Sequence, residues 1–236
     1  MLFPNLAVRS NALELMDAPD CDKKLLLKTL EQFESINRFI TPSRRLIRKH
    51  FLPAMHAEPD RSWRFLDIGA GGGDLAQWFA SEAKTRGLKI HITCLDLDPF
   101  TSDFARERCD SYPNIEIVCD DMFQYCPDRK WDFIYSNHVL HHLTWEQLTA
   151  AIKLVTDVCE ERFALVDLHR NYLSYYGYTM IAALFLRGSF AYHDGRVSIR
   201  KAFRPNELRN VIDRANLNDS VQVTSLLPGH LVLHSR

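Results

Sequence analysis

Two groups of residues in this 236-residue chain have the types and spacing to do chemistry. The first is Asp67, Gly69, Ala70, Gly71, Gly72, Gly73 and Asp74, which follows a short apolar run, with Asp96 closing the next apolar run. A strand that feeds a glycine-rich turn presents backbone N–H groups at a helix start, where a ligand can approach without meeting side chains. The acid ending the following strand then lies beside that turn, placed to accept both hydroxyls of a ribose. Together they describe a nucleoside-binding half-fold. The second group is His138, His141 and His142, with Asp167 and His169 further along. Neutral imidazole can take a proton near pH 7. Three histidines also invite a metal, for which Asp167 or His169 would have to supply a further ligand.

The elements that must position these residues alternate. Apolar patterning predicts strands over residues 64–68, 89–96, 115–119, 131–137 and 162–168. Helices are expected from Asp74 to a stop at Gly87, from Pro99, and over 145–160, where Leu148, Ile152, Val155 and Val158 share one face. Alternating strands and helices make a parallel sheet covered on both faces. Before the first strand, residues 16–20 suggest a turn, and Leu26, Leu30, Phe33, Ile36 and Ile40 keep helical spacing behind an N-cap at Asp20 or Asp22. A short helix over 43–51 carries Arg44, Arg45, Arg48, Lys49 and His50, which fit a solvated face better than an anion site. After the fifth strand, residues 172–186 are apolar and aromatic, and serve either as a helix completing the core or as a lid. Residues 192–195 and 198–203 suit substrate contact, or a turn and a β-like connection. A helix opens at Pro205, and two β-like runs, 221–227 and 231–234, flank Pro228-Gly229 as a hairpin.

The glycine spacing narrows the ligand. A dinucleotide fingerprint would place glycine at position 74, where this chain has Asp74, a poor neighbour for a pyrophosphate. The run from Leu66 to Gly73 resembles the first motif of class I S-adenosylmethionine-dependent methyltransferases, an acid before a Gly-x-Gly-x-Gly turn. Asp67, Gly69, Gly71 and Gly73 match it, and the resemblance implies that this turn, Ala70 included, lies against the methionine part of the cofactor. It further implies Asp96 on the ribose with Leu97 beside the adenine, and Asp121 and Met122 at the adenine after the third strand. Asp98 competes with Asp96, and a simple N-cap is the alternative role for Asp120 or Asp121. Asn137, ending the fourth strand, is grouped with the cofactor residues. The segment Leu140-His141-His142-Leu143 resembles one found in quinone- and natural-product-modifying methyltransferases. There, His141 or His142 would serve as general base, with Asp167 orienting it, and no metal is needed.

The implied fold class is α/β: a Rossmann-like seven-stranded, mostly parallel sheet with a C-terminal antiparallel hairpin and an N-terminal helical cap. Residues 1–60 would form the cap and 61–236 the S-adenosylmethionine-binding domain, with 170–204 as a lid-like insertion. Formal net charge is −1, which disfavours a partner held mainly through phosphate charge. The signature Asn/Asp-Pro-Pro-Tyr of amide and adenine N-methyltransferases is absent after the fourth strand. Six cysteines show no C-x-x-C pair and suit buried, reduced thiols. The start of the chain lacks the pattern of a leader, and no apolar run reaches the roughly 20 residues that span a bilayer, so a cytoplasmic location is expected. The expected activity is O-methylation of an aromatic, quinone-like or polyketide-like small molecule, giving S-adenosyl-L-homocysteine as product, with a homodimer left open. A protein or RNA methyltransferase, a non-catalytic binding module and, more weakly, a nicotinamide oxidoreductase are the rivals.

Overall fold

The computed structural model describes residues 4–18 and 20–236. The turn expected over 16–20 therefore falls partly outside the described residues, at Pro19, and so do the first three residues.

Helix α1 (Lys23–Phe39) starts at Asp22, whose carboxylate accepts the N–H groups of Lys24 and Leu25 at 2.8 and 3.1 Å, so Asp22 and not Asp20 is the cap. The next helical run is longer than its sequence suggests. α2 (Ser43–Leu46) passes through a π-helical stretch, Ile47–Phe51, directly into α3 (Leu52–Ala57). Leu46, Ile47, Phe51, Leu52 and Met55 are buried against Phe65, Phe79 and Phe133, so this run packs on the sheet itself.

The sheet comprises β1 (Ser62–Ile68), β2 (Lys89–Asp96), β3 (Ile115–Cys119), β4 (Trp131–Asn137), β5 (Cys159–Leu168), β6 (Val221–Leu226) and β7 (His230–Ser235). Their spatial order is β3-β2-β1-β4-β5-β7-β6. All pairs through β5 are parallel, whereas β7 runs antiparallel to both β5 and β6. The order reverses between β1 and β4, which opens a crevice at the carboxyl ends of those strands. β4 is buried along its length up to Asn137, which is why it reads as a continuous apolar run. Alternate residues feed two cores: Phe65, Cys94, Phe133 and Ala164 face α3 and α4 (Asp74–Thr85), and Leu66, Leu95, Ile134 and Leu165 face α7 (Trp145–Val158) and α10 (Pro205–Arg214).

Helix α5 (Pro99–Cys109) and the short α6 (Met122–Tyr125) complete the β2–β4 connections. After β5 come α8 (Tyr172–Phe185) and α9 (Ala191–Lys201), which pack on each other. Of the β-like connection anticipated over 198–203, only Phe203 is β-like, bridging to His169, and 198–201 are the end of α9, in which Ala191, Asp194, Gly195, Val197, Ser198, Ile199 and Lys201 are buried. Tertiary burial of that face stabilises a helix that local propensity, with Gly195 in its middle, would not favour. All six cysteines are free, but Cys119 is exposed, contrary to the expected burial, because β3 is an edge strand. No helix among the described residues is long and apolar enough to cross a membrane.

Candidate active site

The turn between β1 and α4 requires glycine for two separate reasons. Gly69, Gly71 and Gly73 all have left-handed backbone, with φ of 68°, 56° and 73°. At Gly69 a Cβ would run into the Cγ2 methyl of Val139, whereas at Gly71 no protein atom lies within 4 Å of that position. Gly69 lets the chain pass Val139, and Gly71 leaves its backbone bare toward the cavity it lines.

Asp96, at the end of β2, braces this turn. Its carboxylate accepts the N–H of Gly71 at 2.9 Å and of Asp98 at 3.1 Å, leaving two of about four lone-pair positions for a ligand. Asp98 is instead committed as the cap of α5, accepting the N–H of Thr101 at 2.8 Å. Asp121 caps α6 through the N–H of Phe123. Asp121 and Met122 also line the cavity, as does Leu97, which is 68% exposed. Asn137 donates to the side-chain oxygen of Asn37 on α1 at 3.1 Å.

Electrostatics at the turn favour a positive ligand. Burial first, then the charges of Asp74 and Asp96, pushes the Asp67 carboxyl well above the usual carboxylate range. Burial, with Glu34 next, pushes Asp74 up to about 6 despite Arg108 and Arg44. Asp96 is raised by burial too, the backbone N–H groups of Asp98 and Gly71 offsetting only part of it. A pyrophosphate brought here would raise these acids further, whereas a cationic centre would favour their ionised forms.

The histidines separate into two environments. His141 is 2% exposed; its Nδ1–H donates to one oxygen of Asp167 at 2.7 Å, and its backbone N–H donates to the other at 2.6 Å. The charge and hydrogen bond of His141 overcome burial and hold the Asp167 carboxyl below its ordinary value. On the far side, His141 Nε2 lies 3.6 Å from Glu14. Glu14 takes the ammonium of Lys201 at 2.9 Å, and that ammonium lies 3.4 Å from Nδ1 of His142. His142 pairs with Asp17 at 3.5 Å; burial alone would lower its pKa, but the Asp17 hydrogen bond and the Glu14 charge raise it. Glu14, His141 and His142 bring ligand-type atoms within 4.8 Å of one another, yet the cation this set faces is the chain's own Lys201.

His138 belongs elsewhere. It stacks on His230, the first residue of β7, with ring centroids 5.5 Å apart and 12° between planes. His169 joins neither group: it bridges to Phe203, and its N–H donates to Gly229. Glu14 and His230 were not anticipated from sequence, and Lys201 was anticipated only as part of the 198–203 stretch. Only His230 had a signal: an antiparallel strand starting after Pro228-Gly229 must begin at the carboxyl edge of the parallel strands.

One cavity of about 890 Å³ joins these parts. One end is walled by the glycine turn, Asp96 to Asp98 and Asp120 to Phe123. The other is roofed by Leu26, Leu30 and Phe33 of α1 and by Leu173, Tyr178 and Ile181 of α8. Residues 4–18 strap this roof. Arg9 donates to the carbonyls of Lys201 and His141, both at 2.5 Å, and the N–H groups of Leu15 and Met16 donate to buried Asp194 at 2.8 and 2.9 Å.

A methyltransferase-domain family model matches residues 65–162, from β1 into β5. That match spans less than half of the chain, which over those residues is similar to methyltransferase domains. S-adenosylmethionine, the cofactor of such methyltransferases, carries a sulfonium and an ammonium, charges that suit the acidic turn described above. The chain is 29% identical over 77 residues to malonyl-[acyl-carrier protein] O-methyltransferase 1 of Ilyobacter polytropus; the match covers 33% of this chain and only 27% of that protein. In fold it is similar to the plantazolicin methyltransferase BpumL in complex with S-adenosylhomocysteine, with TM-score 0.66, 10% identity, and coverage of 94% of this chain and 92% of that one. The plantazolicin methyltransferase BamL gives TM-score 0.63 at 15% identity over 90% and 96% of the two chains. Magnesium protoporphyrin IX methyltransferase from Synechocystis PCC 6803 gives 0.53 at 15% identity over 94% and 90%.

Proposed function

We propose that this chain transfers the methyl group of S-adenosylmethionine to oxygen of an aromatic, quinone-like or polyketide-like small molecule. The observation that carries it is the single cavity joining the acidic glycine turn to an apolar chamber under α1 and α8. The names of two similar proteins, which give plantazolicin and magnesium protoporphyrin IX as what they methylate, support a small-molecule acceptor, and the malonyl-[acyl-carrier protein] O-methyltransferase supports methylation at oxygen.

When bound, S-adenosylmethionine supplies an electrophilic methyl on a sulfonium. Asp67, Gly69, Ala70, Gly71 and Gly73 would hold its methionine part and Asp96 its ribose. Leu97, Asp121 and Met122 would enclose the adenine, with Asn137 tying this end to α1. The chain's remaining task is to align the acceptor and exclude water. Within the region 1–60 read as a cap, α1 and residues 4–18 would take that role, with 170–204 as the lid, while the run from α2 to α3 packs on the sheet. His141, oriented by Asp167, and His142 are the groups proposed to take up the acceptor's proton. A soluble cytoplasmic enzyme of secondary metabolism is the corresponding cellular setting.

Calorimetric titration with S-adenosylhomocysteine, alongside NADH, tests the assignment. Micromolar binding that Asp96→Ala weakens at least tenfold, with NADH silent, is the expected outcome. Equal binding by the Asp96 variant, or tighter binding of NADH, would overturn it.

A further inference from the structure

Buried polar side-chain atoms are nearly always hydrogen-bonded in folded proteins, so a cluster of exceptions calls for a physical reason. Nε2 of His138, Nδ1 of His230 and Oγ of Ser174 are all buried and have no partner among the described residues. They come from three separate elements, the end of β4, the start of β7 and the first turn of α8, yet all three residues line the same cavity. The histidine rings are held by their mutual stack. Ser174 is held against the hairpin turn: a Cβ on Gly229, next to His230, would collide with its Oγ.

These groups are also uncharged. Burial, then the repulsion that two protonated rings would feel, holds His138 down to about 3, and burial holds His230 down to about 4. A neutral imidazole has one donor and one acceptor nitrogen, and a serine hydroxyl can play either part. That set suits a hydroxyl, which itself donates once and accepts. It does not suit a carboxylate, which would lose its hydration with no cation to receive it. On the neighbouring wall the ammonium of Lys201 is already engaged by Glu14, and His142 is paired with Asp17. The roof above them, Leu26, Leu30, Phe33, Leu173 and Ile181, is apolar.

We propose that His138, His230 and Ser174 form the recognition site for an uncharged hydroxyl on the acceptor, a phenol or an enol, and exclude a carboxylate from that position. The inference rests on the methyltransferase assignment and adds to it which oxygen is selected and by which residues.

The test is a titration of the protein saturated with S-adenosylhomocysteine, using one- to three-ring phenols, 1-naphthol among them, each beside its matched carboxylate such as 1-naphthoate. His230→Phe keeps a ring in the stack and removes the nitrogen. Ser174→Ala removes only the hydroxyl. His138 has φ of 60°, so Asn, which tolerates left-handed backbone, is the suitable replacement there. The expected result is phenol binding at least tenfold tighter than the matched carboxylate, lost tenfold or more in His230→Phe, with homocysteine-product affinity unchanged within twofold. Phenol affinity unaltered by His230→Phe overturns the proposal, as do carboxylates binding as well as phenols or no phenol binding to a protein that holds S-adenosylhomocysteine. If S-adenosylhomocysteine itself does not bind, the methyltransferase assignment fails first and takes this inference with it.

Discussion

The two ends of the cavity are built by different means. The glycine-turn end, where the cofactor is proposed to sit, is made of backbone: one turn of five residues, bare at Gly71, braced by a carboxylate 25 residues on. The other end is made of side chains that meet only in space, with Glu14 reaching Lys201 and His138 lying on His230. A backbone-built site tolerates sequence change wherever the turn geometry survives, whereas a side-chain-built site can be re-specified one residue at a time. The histidines repeat the contrast on a smaller scale. His141 and His142 sit in a chain of paired charges, and His138 and His230 are neutral and unpartnered.

The largest effect is expected where that chain of charges is cut. Asp167→Ala would strip His141 of two hydrogen bonds in a buried position, and should cost about 3 kcal/mol in urea unfolding, the range for a broken buried pair. Asp167→Asn, of the same shape, should lose distinctly less. If the two variants were equally stable, the pairing would not be what orders this wall.

At the cofactor end, Gly69→Ala and Gly71→Ala should differ in kind. The first forces Val139 aside from a left-handed position and should destabilise the protein by about 2 kcal/mol. The second meets no protein atom and should cost about 1 kcal/mol of stability, yet weaken S-adenosylhomocysteine at least tenfold. Stability and binding that fell together in both variants would mean the turn is only structural.

pH separates the ends as well. Asp74 titrates at about 6 in the native protein, and a cationic ligand favours its ionised form. Affinity for S-adenosylmethionine should therefore fall as pH drops through 6, and Asp74→Asn should flatten that fall in calorimetry. At the acceptor end, His138 and His230 have native pKa values of about 3 and 4, below the ordinary 6.5. The unfolded chain then binds protons that the native chain refuses, so their stabilising contribution is complete above pH 6.5 and is lost as pH falls toward 4. The urea midpoint should be lower at pH 4.5 than at pH 7, less so in His230→Phe.

The smallest effect is expected at Asp98. As the cap of α5, Asp98→Ala should cost about 1 kcal/mol and leave cofactor affinity unchanged, in contrast to Asp96→Ala. Loss of cofactor binding in the Asp98 variant would reverse the assignment of the two acids.

Much of the fold is legible in the chain because its signals are local. The strands β2, β3 and β4 coincide with their apolar runs, and Pro99 and Gly87 mark helix ends where backbone chemistry demands them. The difference between Asp96 and Asp98 was half legible: both are acids at a strand end, and only the cap contact to Thr101 separates them. Helix α9 was not legible, since a Gly and mixed charges give no helical period until Asp194 is seen receiving Leu15 and Met16.

By itself the sequence determined the sheet, the glycine turn and the sign of charge around it, because turns and alternation act over a few residues. Only the tertiary structure decided which histidine meets which partner. His141 and His138 are three positions apart, but the left-handed backbone at His138 sends one ring to His230 and leaves the other to Asp167. No local rule contains those distant partners.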